Sequence, residues 1–199
     1  MSDSPHESSR ERLLQAGKAL MAAAGYEGAA TAAIARRAGT SESQLMRYFG
    51  GKAGLLEAVF DDGWEQINAQ VDETISGAPD TRVALTDILA FFIAALDRDP
   101  SLAQLYLFEG RRLRGRGGEM TVSHGYLEFV DRIQELIHRG QKEGVLSPIF
   151  NPRVLVGALL GAAEAMVRYR LIESRHGHDS DYIADQVRRV FEAMIRGLA

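Results

Sequence analysis

The sequence predicts an all-α chain of about nine helices, in which an N-terminal three-helix head is joined by a long helix 4 to a helical body. Three observations predict it. Apolar residues recur at intervals of three and four along most of the 199 residues, and no stretch alternates at the period of two that a strand needs. Glycines and Xaa-Pro pairs fall where these stretches would stop and start. The 46% apolar content is enough for a core, and there is no internal repeat.

The head comes first. Residues 1–9 are polar, contain Pro5, and read as a flexible arm. Helix 1 is expected over about Ser9 to Ala24, with Leu13, Leu14, Gly17, Leu20 and Met21 at helical spacing and Gly25 as its stop, after which Tyr26 can pack back. Thr31 is the expected N-cap of helix 2, a small-residue helix (Ala32, Ala33, Ile34, Ala35, Ala38) ended by Gly39. Ser41 caps helix 3, and Gln44 three residues on can complete a capping box. From Glu42 to Phe49, Leu45 and Phe49 share one face, leaving Glu42, Ser43, Gln44, Met46, Arg47 and Tyr48 outside. Two short helices around a tight turn form a helix-turn-helix pattern. Gly50-Gly51 then turns the chain into helix 4, where Gly51 can act as N-cap. The free N–H groups of that start and the charge of Lys52 together favour phosphate.

Helix 4 continues to about Ile75 through Leu55, Val59, Trp64, Ile67 and Val71, long enough to link head and body. Ser76 to Asp80 breaks the chain, and helix 5 follows from Thr81 to Asp97. Asp99-Pro100 starts helix 6, to about Gly110, and the GRRLRGRGG stretch over 110–118 reads as an exposed loop. Helix 7 is expected over about Glu119 to Glu143. Helix 8 runs from Pro152 to about Ser174, carrying Gly157, Gly161 and Ala165 four apart, and helix 9 from Asp179 to about Leu198.

Composition narrows the function. The net charge is −4, yet residues 1–55 carry seven Lys/Arg against five Asp/Glu, so a mildly basic head sits on an acidic body. That fits local contact with phosphates and argues against a body that coats nucleic acid. There is no Cys, so disulfides and thiolate metal sites are excluded. The N-terminus has no secretory pattern, and the most apolar run, Val154 to Val167, is too short for a bilayer and contains Glu164. No membrane association and a cytoplasmic location are expected. RHGHD, with His176 and His178, matches no usual metal spacing, and no strand-based nucleophile or phosphate loop exists. No catalytic residue, metal or cofactor is expected.

The segment comprising Gly25-Tyr26, Thr31 to Gly39, Ser41, Leu45, Tyr48 to Lys52 and Leu55-Leu56 resembles the helix-turn-helix of the tetracycline-repressor (TetR) family of transcriptional regulators. The resemblance implies domains at 10–52 (DNA-binding) and 53–199 (effector-binding and dimerisation), and a homodimer that binds a palindromic double-stranded DNA operator and releases it when a small-molecule effector binds. It makes Thr31, Tyr48 and Lys52 phosphate contacts, in keeping with their donor groups. Ser41 belongs to the same DNA-binding set. Ser43, Gln44 and Arg47 are the candidates for base edges, since Gln pairs with adenine and Arg with guanine. Gln44 has a competing use as a cap. Met46 and Ala32 depart from the family pattern by lacking a donor, which leaves more to DNA shape. The effector pocket falls among Trp64, Phe92, Tyr106, Phe108, Glu109, Tyr126, Phe129 and Arg168, and the dimer interface at Gly157, Leu160, Gly161, Glu164, Val187, Phe191 and Ile195. The alternative is a helical ligand-binding dimer that no longer binds DNA specifically.

Overall fold

The protein is described by a computed structural model covering residues 8–109, 123–175 and 184–199. Among the described residues there are nine α-helices and no strand, as the periodicity predicts. They are α1 (Ser9–Gly28), α2 (Thr31–Arg37), α3 (Glu42–Phe49), α4 (Lys52–Gly77), α5 (Thr81–Arg98), α6 (Pro100–Gln104), α7 (His124–Lys142), α8 (Pro152–Arg175) and α9 (Ala184–Arg196). Most of the N-terminal arm, the 110–118 loop, the expected first turn of helix 7 and the His176 to Asp179 stretch lie outside the described residues. No helix among the described residues is long and apolar enough to cross a membrane.

The chain divides into two compact units, Met1–Gly63 with Gln104–Ser123, and Trp64–Ala103 with His124–Ala199. In the first, α1, α2 and α3 pack on one another, and α1 also packs on a π-helical turn, Leu105–Glu109. That turn replaces the second half of the expected helix 6. Leu13, Met21, Ile34, Leu45 and Leu55 are fully buried at its centre. Ser8 caps α1 in a two-way box: its hydroxyl accepts from Glu11 N–H at 3.2 Å, and its own N–H donates to the Glu11 carboxylate at 2.7 Å. These bonds hold the Glu11 carboxyl below the usual carboxylate range. A depressed folded pKa contributes stability above the unfolded value that is lost as pH falls through the folded one, so acid loosens this cap. α1 does not stop at Gly25. Gly25 takes φ 75° and ψ 164°, kinking the helix, and one further turn carries it to Gly28.

In the second unit α5 is buried nearly all round, through Ala84, Leu85, Ile88, Leu89, Phe92, Ile93 and Leu96, and α7, α8 and α9 pack against it. A helix apolar on every side must be a core helix. Its start is capped by Asp80, which accepts from Val83 N–H at 2.9 Å, and α6 and α8 open on Asp99 and Asn151 caps before their prolines, as expected. The α7–α8 connection is tied to its surroundings by polar bonds. Arg82 donates twice to the Val145 carbonyl at 3.1 and 2.9 Å, and the Gln141 carboxamide donates to the carbonyls of Ser147 and Phe150 at 3.0 and 2.8 Å.

At two glycines the space a side chain would need is already taken. A Cβ at Gly17 would lie 2.6 Å from Leu55 Cδ2, and one at Gly54 would lie 1.9 Å from the Phe49 carbonyl oxygen. The second contact is with backbone and cannot be relieved by a rotamer change. Gly54→Ala is therefore expected to destabilise the protein by about 1–3 kcal/mol or more. Gly77→Ala, where nothing lies within 4 Å, should change stability by no more than about 1 kcal/mol. Urea denaturation of the two variants checks the contrast.

Candidate nucleic-acid interface

The turn between α2 and α3 is built from backbone. Gly39 takes φ 62°, its N–H donates to the Arg36 carbonyl at 3.2 Å, and Thr40 N–H donates to the Ala35 carbonyl at 3.0 Å. This pair of bonds closes the open carbonyls of a helix end and needs a left-handed residue between them. Arg12 of α1 fastens the same turn, its Nε donating to the Ala38 carbonyl at 3.0 Å. Sequence reasoning missed Arg12, because a contact across 26 positions leaves no local signal.

α3 leaves this turn with Ser41 as its N-cap, the hydroxyl accepting from Gln44 N–H at 3.3 Å. The other half of the expected capping box does not form. Instead the Gln44 carboxamide oxygen accepts from the Thr40 hydroxyl at 2.9 Å, one helical turn away. Leu45 is fully buried while Ser41, Glu42, Ser43, Met46, Arg47 and Tyr48 are exposed, so α3 presents a polar outer face. On that face Arg47 stacks on the Tyr48 ring, 4.9 Å from its centroid, and donates to the phenol oxygen at 3.2 Å. Arg47 forms no ion pair among the described residues, so its charge is uncompensated. Tyr48 keeps its own O–H to donate.

Thr31 and Lys52 are engaged within the head. Thr31 occupies the first helical position of α2, and the N-cap is Ala30, which offers no side-chain bond. Its hydroxyl donates instead to the Glu42 carboxylate at 2.5 Å, a charged acceptor that outcompetes the backbone. Lys52 Nζ donates to the carbonyls of Tyr26 at 2.8 Å and Glu27 at 3.4 Å, and lies 4.4 Å from the Tyr26 ring centre. Burial, with the Glu27 charge acting the same way, holds the Tyr26 phenol above its usual pKa. An ammonium has three N–H groups, so Lys52 retains one for an anion.

In the second unit, Trp64, Phe92, Tyr126 and Phe129 come together. Trp64 lies 5.3 Å from Tyr126, 5.2 Å from Phe129 and 6.1 Å from Phe92, and Phe92 lies 5.6 Å from Phe129, all between ring centroids. Gly125 lets α7 approach, since a Cβ there would be 2.4 Å from Trp64 Cβ. Asn68, one turn beyond Trp64 and buried, donates to the Gly125 carbonyl at 2.9 Å. Tyr106 falls in the other unit, the side chains of Phe108 and Glu109 lie outside the described ones, and Arg168 is half-buried on α8.

Residues 13–59, covering most of α1, all of α2 and α3 and the start of α4, match the model of the bacterial regulatory proteins of the tetR family. The likeness to the tetR family lies in this segment. It is 32% identical to the HTH-type transcriptional repressor KstR of Rhodococcus jostii (strain RHA1) over 104 residues, 52% of this chain and 48% of that protein. It thus spans about half the length of the curated relatives it matches. The fold is similar to that of the transcriptional regulator FadR from Bacillus subtilis in complex with stearoyl-CoA, with TM-score 0.80, 17% identity and coverage of 94% of this chain and 98% of that one. It is also similar to AibR in complex with isovaleryl coenzyme A and operator DNA, with TM-score 0.73, 18% identity and coverage of 94% and 97%.

The packing of α8 and α9 corrects one expectation. Leu160, Val187, Phe191 and Ile195 are buried at 0–4% exposure within the single chain, where α8 and α9 pack on α5. Side chains spent in a protomer's own core offer no surface to a mate. The apolar stripe of α9 is real, but it faces inward. Gly157 and Gly161 are exposed with open space around them, and Val154, Tyr169, Ile172 and Val190 are the exposed large apolar residues of α8 and α9. Glu164 is half-buried.

The backbone turn and its Arg12 fastening make separable contributions. Gly39→Ala forces a Cβ into left-handed backbone and should cost about 1–2 kcal/mol. Arg12→Ala, which leaves the Ala38 carbonyl without its partner, should cost about 1–3 kcal/mol. Thermal unfolding followed by circular dichroism measures both.

Proposed function

We propose that this protein is a homodimeric transcriptional repressor that binds a palindromic operator through α3 and releases it when a small molecule binds the body. The observation that carries this reading is the outer face of α3. It presents Ser43, an Arg47 with no ion pair among the described residues and a Tyr48 phenol on a helix whose two ends are fixed by glycine turns. The repressor KstR, by sequence likeness, and AibR with its operator DNA, by fold, support the same reading. Arg47 reads guanine, Ser43 contacts base edges, and Tyr48, Lys52 and Thr31 hold phosphates. Ser41 and Gln44 act mainly through the helix start, since Ser41 caps α3 and Gln44 is bonded to Thr40. The two heads of a dimer sit one helical turn of DNA apart, about 34–36 Å. The dimer interface lies on the exposed small-residue face of α8 around Gly157 and Gly161, with Val190 of α9.

The effector is an acyl-coenzyme A thioester, the ligand class bound by FadR and AibR in their crystal structures. Trp64, Phe92, Tyr126 and Phe129 pack ring against ring, so an acyl chain enters by parting them. Because Trp64 is on α4, which also carries Lys52, the parted state differs from the DNA-bound state in the element that both sites share. A ligand shifts the equilibrium only as far as it prefers the parted state.

Binding to the DNA flanking its own gene, measured by fluorescence anisotropy across a salt series, tests the reading. Arg47→Ala should lose about 1–3 kcal/mol and relax sequence preference, whereas Lys52→Ala and Tyr48→Phe should weaken binding to all sequences alike. Glu42→Gln should tighten binding, because it removes a carboxylate from the face and leaves Thr31 only a neutral, weaker acceptor. Saturable binding that survives unchanged in Lys52→Ala and Arg47→Ala would overturn the contacts, and salt-independent binding would favour the ligand-binding dimer without a DNA role.

A further inference from the structure

An open cleft of about 220 Å³ lies between α5 and α9, on the second unit and away from the aromatic cluster. Three of its lining side chains are Arg82, Arg188 and Arg196, set against one carboxylate, Glu192, with the buried Thr86 also on its wall. The three arginines differ in how they are held. Arg188 is compensated: its Nε donates to Glu192 at 3.1 Å, and its Nη2 pairs with Asp87 at 2.9 Å. Arg196 donates through Nε to the backbone carbonyl of Glu192 at 3.2 Å, which leaves both terminal nitrogens open. Arg82 spends Nε and Nη2 on the Val145 carbonyl and leaves Nη1 open. Neither Arg82 nor Arg196 has a carboxylate partner among the described residues.

Arg82 also stands in the wrong place for stability. It lies in the first turn of α5, where the helix dipole disfavours a cation, and it is half-buried. The nearby Asp80 is committed to capping α5, accepting from Val83 N–H at 2.9 Å. The Val145 carbonyl satisfies two of its donors but is neutral, so a half-buried cation with no carboxylate partner among the described residues keeps its charge for an anion from outside the chain. Guanidinium forks engage two oxygens of one centre, as carboxylates and phosphates supply them.

We propose that this cleft is a binding site for a small oxyanion, a phosphate or carboxylate group held between the guanidiniums of Arg82 and Arg196 with Arg188 behind them. The anion bridges α5 and α9 and so stabilises the second unit. The proposal does not depend on the DNA-binding reading or on the acyl-coenzyme A site.

The test is thermal unfolding of the full chain at constant ionic strength, titrated with pyrophosphate and, separately, with citrate. The expected result is a saturable rise in Tm for at least one of them. Its midpoint should be about tenfold weaker in Arg196→Gln, in which one charge-assisted donor set is lost, and unchanged in Arg189→Gln, whose arginine pairs with Asp185 and does not line the cleft. The probe that saturates at lower concentration identifies the phosphate or the carboxylate as the preferred group. Arg82→Gln should show the same weakening. If it fails to fold through loss of its Val145 bonds, the exposed Arg196 alone decides. A rise that never saturates, or one with the same midpoint in Arg196→Gln, marks general salt or adventitious surface binding and overturns the site.

Discussion

The left-handed backbone at Gly39 is the constraint on which the head depends. α3 has eight residues, well short of the length at which an isolated helix holds together in water. It persists because both ends are clamped. At its start the Gly39 turn delivers Ser41 to the capping position, and at its end Gly50, with φ 70°, closes it through a bond to the Met46 carbonyl at 2.9 Å. Gly51 and Gly54 then let α4 depart directly against the last residue of α3. The side-chain bonds, Arg12 to Ala38 and Thr40 to Gln44, add to a geometry the glycines already dictate. A recognition surface needs this order of causes, because side chains on the outer face can vary only if the helix beneath them is positioned by something else.

The body follows a different logic. α5 is surrounded, so its neighbours are ordered by how well they cover it, and α9 covers it with Val187, Phe191 and Ile195. What α9 leaves outside is mostly polar, with Val190 as the exception, and what α8 leaves outside is small residues flanked by Val154, Tyr169 and Ile172. Small residues in open space on a helix face allow another helix to approach closely. The closed aromatic cluster around Trp64 represents the opposite use of apolar surface, filled by its own rings. An apolar ligand there competes with aromatic contacts worth about 0.5–1.5 kcal/mol per pair, so affinity and conformational change are linked at the outset.

Much of this was legible in the sequence because the signals are local. Asp99-Pro100 and Pro152 marked helix starts, and Gly39 and Gly50 marked turns, with positive φ at both glycines. The outward set on α3 followed from period and from Leu45 alone. The failures were of another kind. Gly25 was legible as an interruption, yet the chain resumes its helix after one residue, which depends on packing and on the carbonyls that Lys52 gathers. Thr31 carries a capping residue type, but its partner Glu42 comes from the next helix. Periodicity found the apolar stripe of α9 and could not say whether a mate or α5 would cover it. The aromatic cluster was found by density, whereas its being filled was a property of three-dimensional packing.

The occupied state of Thr31 and Lys52 bears on how a phosphate grip works. Both side chains are already bonded inside the head, Thr31 to a carboxylate and Lys52 to two carbonyls. Contact with a phosphate therefore exchanges bonds and does not simply add them. For Lys52 the exchange would favour a phosphate, since an anion would replace neutral carbonyls and counterions would leave a bound duplex. The side chain also loses little rotamer freedom on binding, because the Tyr26 carbonyl and ring already hold it at the start of α4. For Thr31 the exchange is opposed: its present acceptor is charged, and freeing the hydroxyl leaves the Glu42 carboxylate facing the phosphates. The two ends of the same motif thus pull in different directions. Under the proposed function, Lys52 would supply grip, and Glu42 would set a threshold that a duplex bringing a donor to that carboxylate, such as the amino group of cytosine, would lower.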